Sequence, residues 1–208
     1  FGFGEKTGID LRGEVPGILR DPSQWSKRSL ATLSIGQEVA VTPIQMITAV
    51  SAIANGGLLM KPFLVREIRN PQGVVNRFSP QVRRRVLTAP VAQQMKEILK
   101  KVTEPDGTGE KAAIPGYTVA GKTGTAQKVD PSTGRYSTDR FISSFVGFVP
   151  AQEPRLAILV VIEEPQGVSW GGSVAAPVFK NIAQEALNYL GVLPQDGDRL
   201  LVADSRKS

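Results

Sequence analysis

Apolar positions in this chain recur first at helical intervals, then in alternation, then in short unbroken runs. Thr42-Pro43-Ile44-Gln45 opens the clearest helix. Thr42 is suited to cap it, Pro43 fits the first turn and Gln45 completes a capping box. Met46, Ile47, Val50 and Ile53 continue the pattern, and Asn55-Gly56-Gly57 stop it. This helix is apolar nearly all round, which predicts burial. Phe63 to Arg69 and Val74 to Phe78 flank the turn Asn70-Pro71-Gln72-Gly73 and read as a hairpin. A second helix is predicted from Thr88-Ala89-Pro90, with Val91, Met95, Ile98, Leu99 and Val102 along one face and Glu104-Pro105-Asp106-Gly107 ending it.

The pattern then changes. Tyr117 to Val129, Phe141 to Val149 and Leu156 to Ile162 are strand-like and are joined by turn clusters at 130–134 and 150–154. No helix separates them, so they predict an antiparallel meander. A last helix spans about 176–190, with Val178, Phe179, Ile182, Ala186, Leu187 and Leu190 on one side, and ends at Gly191 and Pro194. Residues 1–29 read as loop and 195–208 as a loose polar tail. The resulting class is α+β, an antiparallel sheet flanked by helices, in one domain over residues 1–194.

Composition narrows the chemistry. Histidine and cysteine are both absent. That excludes a Ser-His-Asp triad, thiol nucleophiles, disulfides, and zinc held by imidazole or thiolate. Proton transfer falls to Lys, Asp, Glu, Tyr or water. The net charge of +6 is scattered. Its densest cluster, Arg83-Arg84-Arg85, is read between a turn and a helix start and has no interleaved aromatics, so it predicts a solvated patch rather than a nucleic-acid site. The longest apolar run, Leu156–Ile162, is far short of the ~20 residues of a membrane helix.

Gly116 to Thr125 satisfies two motifs together. As G-x-x-x-x-G-K-[ST] it matches the phosphate loop of nucleotide hydrolases, which needs a strand before the loop and a helix beginning at the lysine. As Lys122-Thr123-Gly124 it matches the K-T-G element of penicillin-interacting serine enzymes, which needs an extended strand. Tyr117-Thr118-Val119-Ala120 looks like strand, and nothing after Thr123 starts a helix. The second reading is therefore the one the flanks support.

Gly121-Lys122-Thr123-Gly124-Thr125-Ala126, Phe1-Gly2-Phe3-Gly4-Glu5-Lys6-Thr7-Gly8, Ser34-Ile35-Gly36-Gln37, Ala54-Asn55-Gly56-Gly57, Phe145-Val146-Gly147-Phe148-Val149-Pro150 and Gly171-Gly172-Ser173-Val174-Ala175-Ala176-Pro177 together resemble class B high-molecular-weight penicillin-binding proteins, in the family's order. The resemblance implies the penicillin-binding and serine β-lactamase-like fold, incomplete at its N-terminal side, and D,D-transpeptidation of peptidoglycan without a cofactor or metal. Lys122 would place positive potential beside the nucleophile. Thr123 and Thr125 would bind the carboxylate of a stem peptide or β-lactam, and Gly124 would keep the strand open. Trp170, Gly171 and Gly172 would form a loop near the cleft mouth, though packing alone could explain them. The implied partners are peptidoglycan stem peptide, β-lactams, the N-terminal remainder of the same protein, and division or elongation proteins. The implied location is the outer face of the inner membrane, through an N-terminal anchor.

Two motifs of that family, S-x-x-K and S-x-N, do not occur in these residues. The nearest form, Thr108-Gly109-Glu110-Lys111, lies in a glycine-containing loop and reads as coincidence. The expectation is a fragment cut after the nucleophile, inactive alone and with apolar surface exposed. A catalytically silent binding module is the alternative, and a nucleotide hydrolase a remote one.

Overall fold

The computed structural model describes residues 1–194, so the polar tail expected at 195–208 lies outside the described residues. Two compact units are present, Phe1–Ala89 and one that begins at Pro90. The first contains β1 (Ile18–Leu19), α1 (Ser29–Ser34), β2 (Val39–Ala40), α2 (Pro43–Ala54), β3 (Leu58–Lys61), β4 (Glu67–Asn70), β5 (Gly73–Arg77) and β6 (Gln81–Arg85). Its strands form three antiparallel pairs, β1 with β2, β3 with β6 and β4 with β5.

Helix α2 starts where the sequence places it. Thr42 and Gln45 form a reciprocal capping box, the Gln45 amide N–H donating to the Thr42 hydroxyl and the Thr42 N–H to Gln45 Oε1 at 2.8 Å. The same Gln45 side chain is buried. Its Nε2 donates to the carbonyls of Glu5 at 2.8 Å and Pro16 at 2.7 Å. One glutamine thereby caps a helix and ties down a loop about 40 residues away, whose carbonyls have no strand partner to satisfy them.

Three expectations change here. Only Gln45, Ala49, Ala52 and Ala54 of α2 are fully buried, and its large apolar side chains stay half exposed. The hairpin at 63–78 forms, but its first strand begins at Glu67. Arg83-Arg84-Arg85 lie in strand β6, where Arg85 pairs with Leu58 and Arg84 with Leu59 of β3 and Arg83 sits at the register shift. That pairing joins segments distant in sequence, and local composition carries no sign of it.

The second unit begins within α3 (Ala89–Lys100) and contains β7 (Ala120–Val129), β8 (Tyr136–Val149), β9 (Leu156–Glu163), α4 (Gly171–Val174) and α5 (Ala176–Tyr189). The strands form the expected meander in the order β7-β8-β9. Helix α5 packs on this sheet. Phe179 meets Phe145 of β8 edge to face at 4.8 Å, and Ala176, Ala183 and Leu187 complete the buried stripe. Val178 and Ile182, predicted to face inward, are 39% and 48% exposed. Small residues won the close approach that Phe145 allows, which rotates the buried face. Helix α3 shows a similar rotation. Ala92 and Lys96 are its buried residues, and Ile98 is 60% exposed. Burial lowers the Lys96 ammonium pKa, since desolvation disfavours the charged form.

Lys128 on β7 reaches Glu163 at 2.5 Å and Glu164 at 2.6 Å, spanning the sheet. The side-chain hydrogen bond from Lys128 lowers the Glu163 pKa, and the matching bond from Glu163 raises that of Lys128. The clamp is therefore complete from above the ordinary carboxylate range to the ordinary lysine range. It is lost as pH falls through the depressed Glu163 value or rises through the elevated Lys128 value.

Two measurements follow. Replacing Gln45 with Leu strands the Glu5 and Pro16 carbonyls and removes the side-chain half of the capping box, and urea unfolding is expected to give a loss of about 3 kcal/mol. Lys128→Met is expected to flatten the acid limb of the melting-temperature profile at low salt. An unchanged acid limb would show that the clamp adds nothing.

Candidate active site

Among the described residues strand β7 pairs with β8 alone, which leaves its other edge open. Lys122 pairs with Val146, Thr123 with Phe145, Gly124 with Ser144 and Thr125 with Ser143. Thr123 and Thr125 therefore project to one face of the sheet and Lys122 to the other. β-Branched threonines alternating with small residues hold this segment extended.

Behind the threonines sits α4. The Gly171 N–H donates to Thr125 Oγ1 at 3.1 Å, and the Ser143 hydroxyl donates to the Ser169 carbonyl. A Cβ on Gly171 would overlap the Gly124 and Ser144 carbonyl oxygens, and one on Gly172 would overlap the Thr108 carbonyl. These two glycines let the helical turn seat directly on the strand. Gly124 is also close-packed, since a Cβ there would meet the Ser144 hydroxyl.

Lys122, Thr123 and Thr125 line a groove of about 500 Å³ together with Thr108, Glu110, Lys111 and the segment Trp170–Ser173. The Thr123 hydroxyl shares a hydrogen bond with the Thr108 hydroxyl at 3.1 Å. Lys122 is exposed. Its Nζ donates to the Thr123 carbonyl at 2.9 Å, and among the described ion pairs none includes it. Trp170 stands 68% exposed at the rim.

All seven residues singled out from the sequence thus converge. Gly171 and Gly172, expected as loop, open a helical turn that both packs and lines the groove. Thr108-Gly109-Glu110-Lys111, set aside in the sequence as a coincidental match, supplies Thr108, Glu110 and Lys111 to the groove wall. Glu110–Ala112 forms a 3-10 turn, and the Gly107-Thr108-Gly109 run that precedes it was the available signal. No helix begins at Lys122, which lies inside a ten-residue strand, and this overturns the phosphate-loop reading. Among the described residues no cluster of metal-binding side chains occurs, and no helix is long and apolar enough to cross a membrane.

Residues 1–184 match the family described as the penicillin binding protein transpeptidase domain. The chain belongs to this family. It is similar to stage V sporulation protein D of Bacillus subtilis, 43% identical over 94% of this chain and 30% of that protein. Peptidoglycan D,D-transpeptidase FtsI of Escherichia coli is 35% identical over all of this chain and 33% of its own length. Among solved structures, penicillin-binding protein 3 of Mycobacterium tuberculosis complexed with ampicillin aligns with a TM-score of 0.82 at 34% identity, over 95% of this chain and 46% of that one. The chain thus spans about a third of these curated relatives and is a partial transpeptidase domain of mixed helix and antiparallel sheet.

Gly171→Ala is expected to lift α4 from β7 and to lower stability by roughly 1–3 kcal/mol through overpacking. A thermal melt of this variant checks the clash, and an unchanged melting temperature would show that the turn accepts the added methyl.

Proposed function

We propose that residues 1–194 are the C-terminal part of a serine D,D-transpeptidase domain and supply its carboxylate-receiving wall. The observation that carries this reading is the open edge of β7, bearing Lys122, Thr123 and Thr125, in a groove where Lys122 has no carboxylate partner among the described ion pairs. A peptide ending in a carboxylate lies along this edge, its backbone pairing with β7 as an added strand. The Thr123 and Thr125 hydroxyls hold the carboxylate through charge-assisted hydrogen bonds. Lys122 contributes positive potential on the face where the nucleophile stands. Backbone N–H groups near Thr125 receive the oxyanion as the acyl-enzyme forms. Gly124 keeps the approach clear.

The nucleophilic serine, with the S-x-x-K and S-x-N elements, comes from the rest of the protein, upstream of these residues. β-Lactams acylate the same serine, and this chain presents the groove that orients them. The assembled enzyme works in the cell envelope, anchored through an N-terminal segment, and meets division or elongation proteins there.

Fluorescent penicillin tests this. The 208-residue chain alone is expected to show no covalent label. In the intact protein, Lys122→Ala and Thr125→Val are each expected to slow acylation by about 10- to 100-fold, the loss of one or two bonds to a charged group. Labelling of the isolated chain would place the nucleophile within it. Unaltered acylation in both variants would remove β7 from the site.

A further inference from the structure

The basic residues are scattered along the chain, but their excess over the acidic ones falls in one stretch, which corrects the expectation of a scattered net charge. Residues 61–85 hold seven lysine and arginine side chains and one carboxylate, a formal +6 that equals the net charge of the whole sequence. The stretch folds as the β4–β5 hairpin and β6. Every residue of β5 and β6 is exposed, as are Ile68, Arg69 and Asn70 of β4. Glu5 takes up Arg83 and Arg84, and the surplus that remains on the hairpin is a steering field for an acidic partner.

Glu67 is the only carboxylate in the stretch. It receives Arg69 at 2.5 Å and its cross-strand partner Arg77 at 3.1 Å, with Arg66 at 4.0 Å. Three guanidiniums share one carboxylate, and all three remain largely open to solvent. Beside them stand Ile68, Val74 and Val75, apolar β-branched side chains in the open.

The backbone adds a third demand. β4 and β5 pair only with each other, so each has an outer row of unpaired N–H and C=O groups. The register shift opposite Ile68 and Arg69 leaves Val75 without a partner and bulges β5. Strand β4 stays regular, and its outer edge is the better template.

The geometry points to the β4 edge as a docking site for an acidic, extended polypeptide segment, which adds as a third strand and sets its carboxylates on the face that carries Arg69 and Arg77. An anionic polymer without amides would meet the charge and leave the edge and the valines bare. A lipid surface would cover the valines and leave the edge amides unpaired. A polypeptide meets all three. None of these residues lines the substrate groove, so the partner and a stem peptide bind to different residues of one protein.

The test uses the intact transpeptidase of which this chain is a part. The probe is a fluorescent ten-residue peptide of alternating Glu and Val, read by anisotropy. Arg69→Glu/Arg77→Glu is expected to weaken binding at least tenfold while leaving fluorescent penicillin labelling unchanged, which also reports that the variant folds. Methylation of alternate backbone amides of the peptide is expected to weaken binding to the unaltered protein at least tenfold, a result independent of any variant. Equal binding of a Gln-Val peptide would remove the charge recognition. Full binding of the N-methylated peptide would remove the strand pairing. Binding of phosphatidylglycerol vesicles without binding of the peptide would make the surface a lipid contact. Any of these three overturns the proposal.

Discussion

Strand β7 has to be rigid and incomplete at once. A strand with one unpaired edge forfeits half of its ladder hydrogen bonds, and in isolation such an edge frays or recruits another chain. Here the loss is offset from behind and from one side. β8 pairs with β7 along nearly its whole length, and α4 sits on its threonine face through a contact that tolerates no side chain at Gly171 or Gly172. Beneath that layer, Phe145 and Phe179 fix α5 to the sheet. The open edge is therefore a place where the strand stops being paired without ceasing to be held. The groove, the direction of Lys122 and the spacing of the two threonine hydroxyls all depend on that condition.

The first unit meets its own constraint by other means. Its strands are short and occur in separate pairs, so hydrogen bonding through sheets covers little of the chain. Gln45 compensates by bonding three ways from one buried side chain, joining a helix start to loop carbonyls that would otherwise face each other unsatisfied. Charge is handled in the same sparing way, with Glu5 held between Arg83 and Arg84, and Glu67 shared among arginines. Exposed pairs of this kind add little stability. Their effect lies in which side chains are left with charge to spare.

What the sequence made legible was local. The capping box at Thr42 and Gln45, the turn at 70–73, the meander and the extended K-T-G-T run are each decided by residues within a few positions of one another. What it hid was decided elsewhere in the chain. The inward face of α5 was misjudged at Val178 and Ile182 because hydrophobicity ranks large residues first, whereas close packing against Phe145 selects alanine, and that of α3 was misjudged at Val91 and Ile98, where Ala92 and Lys96 are buried instead. The pairing of β3 with β6 joins segments about 25 residues apart, and an arginine run gives no hint of it. Thr108 stood out in the sequence only as a chance match to a serine motif, because an irregular loop has no period to place it, yet its hydroxyl meets that of Thr123.

The bond from the Gly171 amide to the Thr125 hydroxyl has one more consequence. A hydroxyl whose oxygen already accepts has one lone pair fewer for a visitor and its proton still to give. Helix α4 thus sets the polarity of that hydroxyl as well as its position. A chain end that can only accept, such as a free C-terminus, finds a donor waiting. An amidated end brings donors of its own to an oxygen already partly spoken for. If the groove receives a chain end as proposed, the short glycine-led turn behind the strand, rather than the strand itself, biases it toward ends that carry a negative charge.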